Sequence, residues 1–518
     1  MTRALAPGAA AGMRIYAVHV AAATGRAAAG SRRRPVRAAT AAAAGRGPRR
    51  AALALAAALL ALAALPPAAA QAHGLAGKTD LPIPQWLFAW AAAIVLIVSF
   101  VALGVLWPRP RLQTPRTRRL FTAPRFVEPL CGLVGVAVFA AVVYSAFQGT
   151  TVPTANLAPT AIYVIFWVGI PVVSVLLGNV FALFSPWRAA YRAVAAVARK
   201  ASPALDAAPL DYPRRLGRWP AVAGIVGFAW LELIYVDRDV PSTLGTLALA
   251  YALIQLVGMS LYGERTWSER GDAFGVWFGL CGRISVFERR GRELHLRPPL
   301  SGLPSLDPLP GTVALACALI GSTTFDGASN GSLWVEAEPH VQSVFKTLGL
   351  SQTPAQELAF TVGLLAAIGF VAGIFWLGIQ GMRTVDSRRQ PGELARLFVH
   401  TLIPIAFAYT LAHYFSLLAF QGQALGYLIS DPLGNGSNLF GTANAQVDYT
   451  IVSASAIWYV QVAALVAGHV GGLVLAHDRA LAVFRDDPRA ALRSQYWMLT
   501  VMVGFTCLGL WLLSAVNT

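Results

Sequence analysis

Three ionisable side chains in or beside apolar stretches are the groups of this sequence best suited to chemistry. Glu232 and His413 each interrupt an apolar stretch, and Asp326 directly follows another. Ionisable groups are costly inside a membrane and usually face a cavity or a partner there. A histidine and a carboxylate can hold a divalent metal ion with its bound water, or a carboxylate can act as a base. Glu232, His413 and Asp326 are therefore candidate catalytic residues, and Glu232 and His413 are also candidate metal ligands. A buried hydrogen bond between helices is the structural alternative.

The elements that must position these groups are ten apolar stretches. Of the 518 residues, 56% are hydrophobic and only 13% are charged, whereas soluble domains carry about 25% charged residues. About 20 apolar residues span a bilayer as a helix, and helices satisfy their own backbone groups in lipid. The composition therefore predicts an all-α, polytopic transmembrane helical bundle. The predicted spans are 85–107, 128–147, 161–184, 219–236, 242–262, 311–325, 357–380, 397–422, 453–476 and 495–516.

The basic residues alternate between the connections of these stretches. Of the 31 Lys and Arg residues after position 72, 28 lie in every second connection, and the exceptions are Lys78, Arg238 and Lys346. Cytoplasmic loops of membrane proteins carry such an excess. The pattern predicts that both ends of the 73–518 domain lie outside, in a multi-pass protein of the inner or plasma membrane. This pattern also explains the positive net charge without any binding of nucleic acid. The expected partner is therefore the lipid bilayer.

Residues 1–72 are predicted to be a leader rather than part of the bundle. They contain ten arginines and no acid, and residues 1–48 are expected to be disordered. Arg49-Arg50, the apolar run Ala51–Leu65 and Ala70-Gln71-Ala72 form the three parts of a secretory signal peptide. Cleavage there would expose His73, whose amino group and imidazole can chelate copper, so His73 is a third candidate metal ligand. An uncleaved first helix is the alternative.

The depth of each buried polar group follows from the helical rise. At 1.5 Å per residue, Glu232 lies about 20 Å and His413 about 24 Å above the inner end of its span, in the outer half of the membrane. The same arithmetic places His469 in the inner half, near the level of His400, with His477 at the inner end. The histidines are therefore expected in an outer and an inner group.

Two further segments have more than one interpretation. Residues 267–290 mix aromatic residues with arginines, which predicts a helix lying at the inner membrane surface. Gly327 to Gly331 fits G-x-S-x-G, in which Ser329 would be a nucleophile; that motif requires a turn between a strand and a helix, and an ordinary Gly/Ser/Asn turn is the alternative.

Six stretches carry a resemblance that extends over most of residues 73–518. They are His73-Gly74-Leu75, Asp80–Phe88, Trp267–Phe274, Thr324–Gly327, Gly468-His469 and Leu475–Ala480. In them the sequence resembles a bacterial membrane protein family, the fenitrothion hydrolases. The resemblance implies membrane-bound hydrolysis of an organophosphorus ester, a small apolar substrate. It does not indicate catalytic residues, and the divalent metal is expected from the candidate ligands alone.

A transporter or permease for a small molecule or a metal ion is the alternative function. Ten spans with buried ionisable groups suit a carrier equally well, although no internal repeat is visible. Contact of Asn179 or Gln255 with a solute would favour transport. An assembly factor without a substrate is a third hypothesis, and the sequence does not define the oligomeric state.

Overall fold

The computed structural model describes residues 85–201, 209–385, 389–485 and 488–516, and these are mostly helical. The predicted leader, its cleavage site and His73 lie outside the described residues. The helices that position the site are α1 (Gln85–Leu106), α2 (Val127–Gln148), α3 (Leu157–Leu177), α4 (Pro186–Ala201), α5 (Trp219–Leu233), α6 (Pro241–Tyr262), α7 (Glu264–Arg270), α8 (Ala273–Gly282), α9 (Thr312–Ser329), α10 (Ser332–Thr347), α11 (Gln352–Arg383), α12 (Pro391–Phe398), α13 (Leu402–Gln421), α14 (Ala454–Val483) and α15 (Pro488–Val516).

Each predicted span overlaps a helix, and among the described residues seven helical segments are long and apolar enough to cross a membrane. These are α1, α2, α3, α6, α11, the segment Pro391–Leu428 that contains α12 and α13, and α14. Helices α5, α9 and α15 match the other three predicted spans but are not among the seven. Length and composition therefore indicate a multi-pass membrane protein, and the count of ten spans stays a prediction.

Helix α3 ends earlier than predicted because of Gly178. This glycine has a φ of +87°, a left-handed conformation that other residues rarely adopt. A side chain there would also lie 2.9 Å from the backbone oxygen of Phe287. The apolar run 161–184 is therefore interrupted, and Phe181–Phe184 forms a separate short helix.

Helix α9 is central to the bundle. Every residue from Leu315 to Phe325 is buried, and α9 packs against α5, α11 and α13. A helix that is apolar on all faces belongs in a protein interior. Because Asp326 is the next residue, its position is set by a helix surrounded by protein.

A small antiparallel sheet was not predicted by the all-α interpretation. Strands β1 (Arg118–Thr122), β2 (Phe287–Arg290) and β3 (Glu293–Leu296) pair in the order β1-β3-β2. Strands β2 and β3 form a hairpin whose two-residue turn has Gly291 at a φ of +60°, as tight hairpin turns require. The sheet joins the connection after α1 to the connection before α9.

The predicted surface helix over 267–290 is wrong in two respects. The chain forms two helices, α7 and α8, followed by strand β2, and Trp277 and Phe278 on α8 are fully buried. The break lies at Asp272, which is buried and caps α8 by accepting from the backbone nitrogen of Gly275. The aromatic side chains of α8 pack among other rings of the protein and not against lipid.

Arginines hold the connection between β3 and α9. Nη1 of Arg218 donates to the carbonyl of Asp307 at 2.8 Å, and Nη1 of Arg283 donates to that of Gly302 at 2.9 Å. Arg479 on α14 donates to the carbonyl of Pro304 at 2.6 Å. Burial and the neighbouring Arg283 lower the pKa of Arg218 to about 10. Besides adding positive charge, these arginines therefore hold this loop in place.

Candidate functional site

Asp326, in the last turn of α9, contacts His413, in the middle of α13. Nε2 of His413 on α13 lies 2.7 Å from Oδ2 of Asp326, and the Tyr414 hydroxyl donates to the same oxygen at 3.0 Å. The side chain of Asp326 is 21% exposed and that of His413 is 16% exposed. The pair is thus largely shielded but still reachable by a small molecule.

Glu232 completes this group from the last turn of α5. Its carboxyl lies close enough to Asp326 and Tyr414 to interact electrostatically with both. The hydroxyl of Tyr414 has one proton and cannot donate to both carboxyl groups at once. We call Glu232, Asp326, His413 and Tyr414 the outer cluster. Two carboxyl groups, an imidazole and a phenol in contact can take up and release protons.

The structure brings the three candidate residues Glu232, Asp326 and His413 together, and their catalytic role stays a prediction; Tyr414 was not among the candidates. A tyrosine in an apolar stretch resembles a core residue in sequence. Its only distinguishing feature is its place directly after His413. The two rings pack edge to face, with centroids 4.7 Å apart.

The inner histidines do not join the outer cluster. His477 lies 2.8 Å from Oε1 of Gln495 and 3.0 Å from the carbonyl of Trp107, so both its ring nitrogens have partners. His400 and His469 are buried, and Nε2 of each has no hydrogen-bond partner within the described ranges. The division of the histidines by depth into an outer and an inner group stays a prediction.

Ser329 lacks the setting of a nucleophile elbow. It is the last residue of α9, and its hydroxyl donates to the carbonyl of Asp326 at 2.8 Å. The elbow needs a strand that leads into a sharp turn, and here a helix precedes the serine. Ser329 therefore belongs to the end of a helix, close in sequence to the outer cluster.

The described residues do not supply the ligands that the predicted metal site would need. Among the described residues, no group of three or more His, Cys, Asp or Glu side chains is arranged to hold a metal ion. His73, the third proposed ligand, lies outside them. Catalytic metal sites commonly use three protein ligands, so the described residues do not fit a metal centre.

The polar residues proposed to contact a transported solute have structural partners. Oε1 of Gln255 accepts from the Trp267 indole at 2.8 Å in a buried setting, and Oδ1 of Asn179 accepts from the backbone nitrogen of Ala182 at 3.2 Å. Both contacts stabilise local packing. They provide no argument for a solute path through these positions.

The fold and the outer cluster define a helical, multi-pass membrane protein with a partly shielded protonatable site. Comparison of the chain with protein-family models, with curated proteins and with solved structures found no match in any of the three. The function is therefore inferred from the geometry of the outer cluster and from the resemblance in sequence.

Proposed function

We propose that the chain crosses the inner or plasma membrane ten times, with the basic connections inside and the outer cluster facing outward. Contacts between connections support this topology, because they join segments predicted to lie on the same side. Strand β1 pairs with β3, both in basic connections. The backbone nitrogen of Thr150 donates to the carbonyl of Leu433, both in connections with few basic residues.

We further propose that the outer cluster hydrolyses a small, apolar organophosphorus ester. The observation that carries this proposal is the 2.7 Å contact between His413 and Asp326. An ionised carboxylate beside an imidazole orients the ring and stabilises its protonated form, which suits the ring to act as a general base. An apolar ester partitions into lipid, where a site inside a helical bundle can receive it.

The proposed reaction uses water as the nucleophile. With Nε2–H donating to Asp326, Nδ1 of His413 accepts a proton from water as the water oxygen attacks phosphorus. A P–O bond to water forms and the P–O bond to the aryloxide breaks; the aryloxide then takes the proton from His413. Tyr414 holds Asp326 by its hydrogen bond, and the neighbouring Glu232 tunes the charge of the cluster.

The test is hydrolysis of a chromogenic phosphorothioate ester by the purified full chain in detergent. His413→Gln and Asp326→Asn should each lower kcat/KM by about 100-fold or more, since general-base catalysis contributes on the order of 100- to 10,000-fold. His340→Gln and Glu336→Gln, on exposed positions of α10, are the matched controls and should retain wild-type rates. Wild-type activity in both outer-cluster variants, or no turnover by folded wild-type protein, would refute the proposal.

Transport is the second candidate, favoured by the two carboxyl groups and the histidine held inside the bundle. Such groups in membrane proteins mark ion and proton pathways as well as active sites. Liposomes that contain the protein distinguish the two functions. Ester hydrolysis without accumulation of solute supports the enzyme, and accumulation without hydrolysis supports the carrier.

A further inference from the structure

The small antiparallel sheet has one face that carries leucines. Side chains alternate between the two faces of a strand, so Leu294 and Leu296 of β3 lie on the same face. Strand β1 has a bulge between Arg119 and Phe121, and bulges redirect the side chains that follow them. Arg118 pairs with Leu296 and Phe121 pairs with Leu294, and paired residues share a face. The bulge therefore brings a guanidinium group and a phenyl ring onto the leucine face.

The opposite face of the sheet is charged and pairs its own charges. Arg119 and Thr122 of β1 lie on this face, opposite His295 and Glu293 of β3. Nη1 of Arg119 and Nε2 of His295 each lie 3.0 Å from a carboxylate oxygen of Glu293. This face is thus suited to contact with water, and the two faces of the sheet differ in chemistry.

The leucine face is directed towards the beginning of α2 and is left open at β1. Arg289 of β2 pairs with Leu294 and so lies on this face, and its Nη2 is 3.6 Å from Oε1 of Glu128 in the first turn of α2. Every residue of β1 is exposed, and Phe121 is 56% exposed. Antiparallel sheets commonly bury one face, and no part of the described chain buries this one at β1.

The open surface is continuous with an exposed apolar side of α2, which is long and apolar enough to cross a membrane. Phe126 directly precedes α2 and is 65% exposed. Leu130 and Leu133 follow at helical spacing on the same side and are also exposed. Apolar side chains on the outside of a spanning helix contact lipid. The partner that fits the open face is therefore the leaflet around this end of α2.

Two arginines beside this surface have no carboxylate partner. Arg118 lies on the leucine face and Arg125 precedes Phe126; both are exposed, and neither forms an ion pair within the described ranges, unlike Arg119. A guanidinium group matches the geometry of a phosphate and can bind two of its oxygens. Basic residues next to a spanning helix attract anionic lipids. The charge of the surface therefore favours an acidic phospholipid.

We propose that Arg118, Phe121, Arg125 and Phe126 form a binding site for the headgroup of an acidic phospholipid, which we call the lipid patch. The two arginines donate N–H groups to the phosphate oxygens, and the two phenyl rings enter the boundary between headgroups and acyl chains. The pairing of β1 with β3 holds the patch against the leaflet. This site is separate from the outer cluster, and it depends neither on ester hydrolysis nor on the compartment that the leaflet faces.

The test is photochemical cross-linking of the full chain in nanodiscs of phosphatidylcholine with a minor fraction of phosphatidylglycerol. Phe121→p-benzoylphenylalanine places a photoreactive ring in the patch, and mass spectrometry identifies the adducts. Lipid adducts should form, with phosphatidylglycerol above its share of the bilayer. Thr122→p-benzoylphenylalanine, on the exposed charged face, is the matched control and should give at least about tenfold fewer lipid adducts, since that face meets water.

Arginine variants test the preference for the acidic headgroup. In the chain labelled at position 121, Arg118→Gln together with Arg125→Gln should lower the phosphatidylglycerol share of the adducts to its share of the bilayer. High salt should act in the same direction, because it screens exposed charges. Arg214→Gln together with Arg215→Gln, an exposed pair before α5, is the control and should leave the preference unchanged. An unaltered Tm reports that each variant is folded.

Three results would overturn the proposal, whatever the ester assay shows. The first is a phosphatidylglycerol share no higher than that of the bilayer when both arginines are present. The second is an equal yield of lipid adducts from positions 121 and 122. The third is an adduct at position 121 that joins two chains, which would show that the open edge of β1 pairs with a second copy of the protein. The first two results need no arginine variant to fold.

Discussion

Trp107 and Asp478 are 371 positions apart in sequence, and the indole nitrogen of Trp107 donates to Oδ1 of Asp478 at 3.0 Å. The same carboxylate accepts from the backbone nitrogens of Arg111 and Leu112 and from the side chain of Gln113. Asp478 is fully buried. A single carboxylate near the C-terminal end of α14 therefore fixes the connection that follows α1.

Asp478→Asn should destabilise the protein and loosen this connection. The amide puts a donor where four donors now meet an acceptor, and each buried donor left without a partner costs about 1–3 kcal/mol. We expect a lower Tm in detergent and faster proteolysis within residues 108–117. Asp211→Asn, at an exposed position, is the control; equal Tm values for the two variants would contradict the structural role.

Asp272→Asn should lower stability at pH 7 for a related reason. Asp272 accepts from the Trp187 indole and the Tyr251 hydroxyl, both at 2.7 Å, and an amide nitrogen at either position would face a donor. The expected loss is about 1–3 kcal/mol. Thermal unfolding of the variant, with Asp211→Asn again as control, measures it.

The pH dependence of stability should also change in Asp272→Asn. Burial raises the pKa of Asp272 more than the hydrogen bonds from Gly275, Tyr251 and Trp187 lower it. The folded state then binds this proton more tightly than the unfolded chain does. The contribution of the carboxyl to stability must fall as pH rises from the ordinary value of 3.8 through the raised pKa, and stay constant above it. The Asn variant should lose this part of the slope, and an unchanged slope would contradict the assignment.

Arg192 and Glu264 should be energetically coupled. Nη2 of Arg192 lies 2.7 Å from Oε1 of Glu264, and Arg188 contacts the same carboxylate at 2.8 Å. Burial alone would lower the pKa of Arg192, but Glu264 and Glu128 raise it. Because Arg192 is 40% exposed, we expect a coupling of only about 1 kcal/mol in a double-mutant cycle of Gln substitutions.

An exposed ion pair provides the comparison for that cycle. Arg265 and Glu269 lie 3.0 Å apart on α7 with side chains 90% and 62% exposed. Pairs of this kind contribute about 0.3–0.5 kcal/mol. Unfolding in mixed micelles at low and high salt should show the larger coupling for Arg192 and Glu264; a coupling no larger than that of the exposed pair would refute the prediction.

The sequence predicted the helices better than the contacts between them. Length and apolar composition located the helices, whereas the depth of Glu232 and His413 in the membrane stays a prediction. The sequence did not predict which residue contacts His413, because the rise of one helix does not show which of its faces packs against which neighbouring helix. Burial of Trp277 was missed for a similar reason, since an indole suits both a protein interior and the membrane interface.

The strands and the position of His469 relative to α13 show a second limit of prediction from sequence. Strands of four or five residues that are rich in charged side chains show no clear hydrophobic pattern in the sequence. They pair here because two connections far apart in sequence lie side by side. A Cβ atom on Gly472 would lie 2.8 Å from the carbonyl of Thr401, and one on Gly468 would lie 2.8 Å from that of Pro404. His469 therefore sits beside residues about a turn further along α13 than His400. Errors of a turn in the ends of the spans were large enough to place both histidines at one level.

Gly468→Ala should separate α13 from α14. An added Cβ would lie 2.2 Å from Cβ of Ala408 as well as 2.8 Å from the Pro404 oxygen, and small residues permit such close helix packing in membranes. Overpacking of this kind costs about 1–3 kcal/mol, so we expect a clear fall in Tm. Adding Ala408→Gly should restore part of the loss, because only the first of the two clashes is relieved. Gly369→Ala on α11, where an added Cβ meets nothing within 4 Å, should be neutral or slightly stabilising since alanine favours helices. Equal Tm values for Gly468→Ala and Gly369→Ala would show that the two helices are not in close contact.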